Sequence, residues 1–129
     1  MHTVDTNVLV RYVTNDNPEQ AHRAMDLLGG THSILVTLTV LLELEWVLRA
    51  VYKLPRERIQ VAMLHILGLP NVSIERPEQI SQALRWHHNG MDFAGALHLS
   101  MVGDAEYLAT FGQQFVAQAA IEGMPVRLL

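Results

Sequence analysis

The sequence predicts an α/β fold in three layers, with a mostly parallel central sheet of four to five strands flanked by helices. Short runs rich in β-branched residues alternate along the chain with longer runs of helical spacing. This alternation is typical of parallel strands joined by helical crossovers. The chain has 129 residues, of which 50% are hydrophobic, enough for one buried core. We therefore expect a single domain over residues 1–129.

Five runs have the length and composition of strands. In chain order they are HTVD, SILVT, NVSIE, YLAT and VRLL, which begin at residues 2, 33, 71, 107 and 126. Ligands of open α/β sheets bind at the carboxyl ends of the strands, where loops and helix N-termini converge. Asp5 lies at that end of the first run, so we expect the functional site to include this region.

Proline, glycine and asparagine residues mark the expected ends of the helices between these strands. Two helices are expected to begin at the Asn-Pro and Arg-Pro steps of residues 17–18 and 76–77, and to end at the Gly-Gly and Asn-Gly steps of residues 29–30 and 89–90. Asn is a good N-cap, and proline is tolerated in the first turn because its missing N–H would be unpaired there. A third helix is expected from about Leu38 to Tyr52.

The composition restricts the metals and partners that the chain can bind. The chain has no cysteine and a formal net charge of −4, which excludes thiolate metal sites and disfavours a broad electrostatic grip on nucleic acid. Oxygen ligands would favour hard ions such as Mg²⁺ or Mn²⁺. The longest nearly apolar run, ILVTLTVLL, is far shorter than the roughly 20 residues that a bilayer span needs. We expect a cytoplasmic protein with no membrane partner.

Asp5, in the stretch VDTNVLVRYV, has two interpretations. It caps the helix that begins near Thr6, since an Asp side chain accepts hydrogen bonds from backbone N–H groups at a helix start. Alternatively, it is a metal ligand at the end of the first strand. A second carboxylate without a structural partner would favour the metal site.

The helix near residues 38–52 contains two glutamates with different neighbours. Glu45 has Arg49 four residues later, the favourable order for an ion pair on a solvated rim. Glu43 has no cation at helical spacing and mostly apolar neighbours, so its burial would be costly unless a metal ion balanced its charge. We expect Glu43 to share such an ion with Asp5. The alternative is that Glu43 is a solvated residue on a helix of different phase.

Five stretches carry a family resemblance: VDTNVLVRYVTNDNPEQA, VTLTVLLELEWVLRAVYKL, GMDFAGALHLS, LATFGQQF and PVRLL. Together they resemble the PIN-domain ribonucleases, and among these the VapC-type toxins of bacterial toxin–antitoxin pairs. The resemblance implies that Asp5 and Glu43 are catalytic, metal-site carboxylates, with Thr6, Asn7 and Thr110 in supporting positions. It also implies Mg²⁺- or Mn²⁺-dependent hydrolysis of RNA, a homodimer, and a cognate VapB-like antitoxin as partner.

The sequence departs from the family pattern at two usual acidic positions, which here are Gly95 and Gly112. We expect neither glycine to be needed for packing. Asp92 is a third candidate catalytic residue, although it is equally suited to cap the following helix. With fewer carboxylates, Mg²⁺ affinity should be low. The resemblance thus implies an impaired endoribonuclease toxin, and the alternative is an inactive PIN-fold module that binds antitoxin or RNA.

Overall fold

The computed structural model describes residues 1–129 as seven helices and five strands in alternating groups. The strands are β1 (His2–Thr3), β2 (Ile34–Val36), β3 (Val72–Ile74), β4 (Leu108–Thr110) and β5 (Val126–Leu128). The helices are α1 (Thr6–Thr14), α2 (Pro18–Leu28), α3 (Leu38–Ala50), α4 (Arg56–Leu67), α5 (Pro77–His88), α6 (Phe93–Ser100) and α7 (Gln113–Ile121).

All strand pairs are parallel, as predicted. One sheet has the order β1-β2-β3, and β4 pairs with β5 in a two-stranded sheet. Each of the five runs that the sequence predicts as strands contains one strand, so the α/β class is confirmed. The five strands thus form two sheets and not one, since β4 makes its ladder hydrogen bonds with β5 alone.

The chain divides into two compact units, Met1–Arg76 and Pro77–Leu129. In the first unit, α1 packs against α2 and α3, α3 packs against α4, and α4 packs against β3. Apolar residues at helical spacing supply the buried faces of these elements. The largest of the fully buried side chains in this unit are Leu9, Leu28, Ile34, Leu41, Leu44, Leu48, Ile59, Met63 and Ile66.

In the second unit, α5 packs against α6, and α7 packs against β5. The edge of the His87 ring meets the Phe93 ring, with centroids 5.4 Å apart and an interplanar angle of 81°. This arrangement is favourable for two aromatic rings because a positive edge faces a negative face. The buried apolar residues of the unit include Ile80, Ala83, Phe93, Ala96, Leu97, Leu99 and Ala119.

The predicted helix boundaries are confirmed at the capped ends. The side chain of Asn17 accepts a 3.2 Å hydrogen bond from the Gln20 backbone N–H, and Gly29 is the C-cap that follows α2. Helix α3 ends at Ala50, slightly earlier than predicted. Val51 is the C-cap, and the Tyr52 N–H bonds Val47 O at 3.2 Å, five residues back, so the i→i−4 pattern of the helix has ended before Tyr52.

Beyond the end of α1, Asp16 forms a polar cluster. Its carboxylate accepts hydrogen bonds from the Tyr52 hydroxyl at 2.6 Å, from the Thr14 hydroxyl at 3.0 Å and from the Arg11 guanidinium at 3.0 Å. The Tyr52 hydroxyl is the main cause that lowers the pKa of Asp16, with further lowering by Thr14 and Arg11 against an opposing effect of desolvation. The cluster ties the end of α1 to the segment after α3.

Asp16→Asn is expected to lower the stability of the protein at neutral pH and to lower it less in acid. The folded-state pKa of Asp16 lies below its usual value of 3.8, so its contribution is present above that value. This contribution is lost as the pH falls through the folded-state pKa. Urea unfolding at pH 7 and near pH 3 checks this, with Asp104→Asn in an exposed loop as the control. A gap between wild type and Asp16→Asn that is equal at both pH values would contradict the assignment.

Candidate active site

The carboxyl edge of the three-stranded sheet gathers polar residues from three strands. Extending the observed register past the strand ends places Asp5, Thr37 and Glu75 at corresponding positions. Asp5 and Thr37 are the N-cap residues of α1 and α3. Because helix N-termini carry a partial positive charge, this edge is favourable for carboxylates.

Asp5 serves as a structural cap. Its Oδ1 accepts a 2.7 Å hydrogen bond from the Thr6 backbone N–H, its backbone is extended, and its side chain is exposed whereas Thr6 is buried. The capping interpretation is therefore confirmed. It leaves the second carboxylate oxygen, Oδ2, outside this bond, and an ionised carboxylate has lone pairs for several partners. Capping and metal binding are compatible at this residue.

The two glutamates of α3 have environments opposite to those expected. The predicted ion pair is present, with 2.9 Å between Arg49 Nε and Glu45 Oε2. However, Glu45 is only 2% exposed, so it does not lie on a solvated rim. Glu43 is exposed and makes no ion pair, which corrects the expectation that it lies among buried apolar side chains.

The phase of α3 explains this correction. Its buried residues are Leu41, Leu44, Glu45 and Leu48, one stripe at helical spacing. Glu43 lies outside this stripe, and its neighbour Trp46 is itself 53% exposed. The cost of burying a charge therefore gives no reason to assign a metal to Glu43. What remains is an exposed carboxylate that no other side chain engages.

Glu75 is a residue that the sequence reasoning missed. Its Oε1 accepts a 2.9 Å hydrogen bond from the Leu38 backbone N–H and so caps α3 in place of Thr37, whose side chain makes no capping bond. Glu75 thereby fixes the start of the helix that carries Glu43. The sequence contained a signal for Glu75, because this acidic residue follows β3 at the end of the run NVSIE, just as Asp5 follows β1.

Asn7 is exposed at the start of α1. With Arg11, Gln20 and Arg23 it lines a cavity of about 320 Å³ in the first unit. Both guanidinium groups are already engaged, since Arg11 bonds Gln20 and Asp16 and Arg23 pairs with Glu19. Neither Asp5 nor Glu43 lines this cavity. Thr6 is buried, and its backbone N–H donates the hydrogen bond to Asp5 Oδ1.

The carboxylates of the first unit fit a hard divalent ion in chemical type. No group of three or more His, Cys, Asp or Glu side chains in the chain is arranged to hold a metal ion. Mg²⁺ in enzymes is often held by one or two carboxylates together with water and substrate phosphate. Asp5 and Glu43 are exposed carboxylates of the chemical type that such a set needs.

In the second unit, Asp92 is the N-cap of α6. Its Oδ2 accepts a 3.0 Å hydrogen bond from the Gly95 backbone N–H, so the capping interpretation is confirmed. Gly95 is in the first turn of α6. Gly112 is the N-cap of α7, and its N–H donates a 3.1 Å hydrogen bond to Thr110 Oγ1. Each glycine is thus bonded to one of the predicted site residues.

Phe115 brings the two glycine positions together. A Cβ atom added at Gly95 would lie 2.9 Å from Phe115 Cε1, and one added at Gly112 would lie 3.4 Å from Phe115 Cβ. Any side chain at residue 95 therefore requires the Phe115 ring to move. This corrects the expectation that neither glycine is needed for packing.

Gly95→Ala should couple energetically to Phe115. With Phe115 in place, the contact at residue 95 opposes the gain in helix propensity that replacing glycine normally brings, roughly 0.5 to 1 kcal/mol. In a Phe115→Leu background we expect Gly95→Ala to be more favourable by about 1 kcal/mol. Free energies of unfolding in urea for the four proteins of this cycle test the contact, and Gly112→Ala is the control with an ordinary contact distance. Equal effects in both backgrounds would show that the ring is not the obstacle.

The comparison with protein families gives one match. The PIN domain family model covers residues 3–119, a span that includes every candidate site residue. Among curated proteins there is no match to this chain. PIN domains are a nuclease fold whose members are generally metal-dependent ribonucleases. Since the match covers most of the sequence, the chain belongs to the PIN domain family.

Proposed function

We propose that this PIN domain is a Mg²⁺- or Mn²⁺-dependent endoribonuclease of the VapC type, with Asp5 and Glu43 as its metal-site carboxylates. The observation that carries the proposal is the exposed carboxylate of Asp5, which follows β1 and caps α1 in a chain of a nuclease family. Glu43 supports it as an exposed carboxylate on α3, the helix that packs against α1. The VapC assignment rests on the sequence resemblance.

The residues of the proposed site have different roles in metal and substrate binding. A bound divalent ion would supply Lewis acidity and lower the pKa of a coordinated water. Asp5 holds one oxygen fixed by its bond to Thr6, so little conformational freedom is lost when the other oxygen binds. Glu43 has no such restraint on its side chain, but its helix is anchored by Glu75. Asn7 offers an exposed amide to a substrate oxygen.

Asp92 is proposed as a further catalytic residue on the strength of the family resemblance. Its Oδ2 is committed to the Gly95 N–H, which leaves Oδ1 outside that bond. The same logic applies as for Asp5, because capping orients the carboxylate without consuming all of its lone pairs. Asp92→Asn keeps the cap and removes the charge, so its effect on cleavage separates the two roles.

Asp5→Asn and Glu43→Gln should each lower divalent-ion-dependent RNA cleavage by at least about a hundredfold, since even changes outside the direct ligands lower activity by roughly 10- to 100-fold. Asn is as good an N-cap as Asp, so Asp5→Asn removes the charge while keeping the helix start. Cleavage of a labelled RNA, with and without Mg²⁺ or Mn²⁺, measures the effect.

The matched control for this experiment is Glu57→Gln, which makes the same chemical change at an exposed residue of α4 in the same unit. Glu45→Gln is unsuitable because that carboxylate is buried and paired with Arg49. Full activity of Glu43→Gln, or an equal loss in Glu57→Gln, would refute the assignment of Glu43.

The second candidate function is an inactive PIN-fold module that binds antitoxin or RNA. It is favoured by Gly95 and Gly112 at usual acidic positions, and by the Phe115 ring that packs against residue 95. If the glycines account for lost activity, Gly95→Asp with Gly112→Asp should gain Mg²⁺-dependent cleavage and a Mg²⁺-dependent rise in melting temperature. Adding Phe115→Leu should make the gain larger. No metal response in the double or triple variant would show that these positions do not belong to a metal site.

The partners complete the proposal. We retain a homodimer and a cognate VapB-like antitoxin on the basis of the resemblance, and a single domain over residues 1–129 and a cytoplasmic location on the basis of length and composition. A helix long and apolar enough to cross a bilayer does not occur in the structure. Exposed apolar side chains in the first unit, among them Met25, Trp46, Val61 and Leu64, are suitable contacts for a protein partner.

A further inference from the structure

We propose that the exposed face of β4 and β5 is a stacking platform for unpaired bases of an RNA substrate, with Phe111 as its principal contact. The platform consists of Tyr107, Ala109, Phe111 and Arg127. The identity of the nucleic acid as RNA rests on the proposed ribonuclease function. The platform itself rests on the geometry of the second unit.

The strand geometry places these residues on one face. Alternate residues of a strand point to the same side of a sheet, so Tyr107, Ala109 and Phe111 share a side of β4 and its flanks. The parallel register pairs Ala109 with Arg127 of β5, which places the arginine on this side too. All of these residues are exposed, whereas Leu108 and Thr110 on the opposite side are half-buried.

Tyr107 and Arg127 are already organised for stacking. The guanidinium carbon of Arg127 lies 3.9 Å from the centroid of the Tyr107 ring, a cation–π contact that holds a planar cation over the aromatic face. Arg127 can therefore present its own plane to a base or its N–H groups to a phosphate. The small side chain of Ala109 leaves the space between Tyr107 and Phe111 open.

Phe111 is a large aromatic side chain that is almost fully exposed to solvent. It is 81% exposed, although a phenylalanine side chain gains most when it is buried. It directly precedes Gly112, whose N–H is bonded to Thr110, so the ring projects from a short, hydrogen-bonded turn. A ring displayed in this way loses little conformational entropy when a flat partner stacks on it.

The charges near the platform favour stacking as the source of affinity. Asp104 and Glu106 are exposed in the segment before β4, and the whole chain carries a formal charge of −4. Phosphate contacts alone would therefore give little binding. Bases stack on aromatic side chains with little dependence on sequence, and this mode suits unpaired RNA because duplex bases are not accessible. The expected salt dependence of binding is correspondingly shallow.

The experiment measures binding of a fluorescently labelled, single-stranded RNA oligonucleotide by anisotropy, with EDTA present so that no cleavage occurs. Phe111→Ala should weaken binding about tenfold, as expected for the loss of one stacked base. Phe111→Trp should keep RNA affinity near that of the wild-type protein, because an indole ring also stacks on a base. Its fluorescence should be quenched when RNA binds. Ile121→Ala is the control, because Ile121 is 83% exposed at the other end of α7 and should leave affinity unchanged.

Several outcomes would overturn the platform. These are wild-type affinity in Phe111→Ala, an equal loss in Ile121→Ala, no binding of single-stranded RNA, equal or tighter binding of duplex RNA, and a preference for single-stranded DNA. A change of oligomeric state in Phe111→Ala by light scattering, without a change in RNA affinity, would assign this face to a protein contact instead. If the platform proposal fails, the proposal of metal-dependent cleavage by Asp5 and Glu43 still stands. If cleavage is not found, RNA binding in EDTA still tests the platform.

Discussion

The hydrogen bond from the Thr6 backbone N–H to Asp5 Oδ1 is the interaction on which the organisation of the first unit depends. Asp5 lies two residues after β1 and directly before α1, so this bond fixes the start of the helix. Glu75 caps a helix in the same way, because its side chain accepts a hydrogen bond from the Leu38 backbone N–H at the start of α3. A carboxylate is favourable at both places because the N-terminal N–H groups lack intrahelical partners and carry partial positive charge. Backbone N–H groups therefore stabilise the Asp5 and Glu75 carboxylates at this edge.

The same device appears in the second unit, where Asp92 caps α6 through the Gly95 N–H. Capping engages only one carboxylate oxygen at Asp5 and at Asp92. A structural role therefore does not exclude a chemical one at either residue. A substitution by Asn separates the two roles, since it retains an oxygen acceptor and removes the charge.

Local features of the fold were predictable from the sequence, and features that depend on helix phase or on distant packing were not. The strand runs and the Asn17 cap are set by neighbouring residues, and the structure confirms them. Glu43 and Glu45 are two positions apart and lie on nearly opposite faces of α3, so choosing the wrong buried face exchanges the exposed and buried positions. The Leu41, Leu44 and Leu48 stripe, taken alone, would have placed Glu45 inside. Phe115 was missed because its contact with Gly95 joins two helices.

The glycines change how the absence of two family carboxylates is understood. At residue 95 the Phe115 ring takes up the space that a side chain would need, so the substitution affects packing as well as charge. The proposed metal site then rests on two carboxylates of the first unit, Asp5 and Glu43. An aromatic surface such as that around Phe111 would allow nucleic-acid binding to persist even where hydrolysis is slow, because stacking needs no metal.

Direct titration of Mn²⁺, followed by the electron paramagnetic resonance signal of the free ion, tests the central claim that Asp5 and Glu43 share one divalent ion. The account predicts a single weak site in the wild-type protein. That site should disappear when either carboxylate is neutralised and should persist when Glu57 is neutralised. Mn²⁺ binding that is undiminished after neutralising both Asp5 and Glu43 would contradict the account.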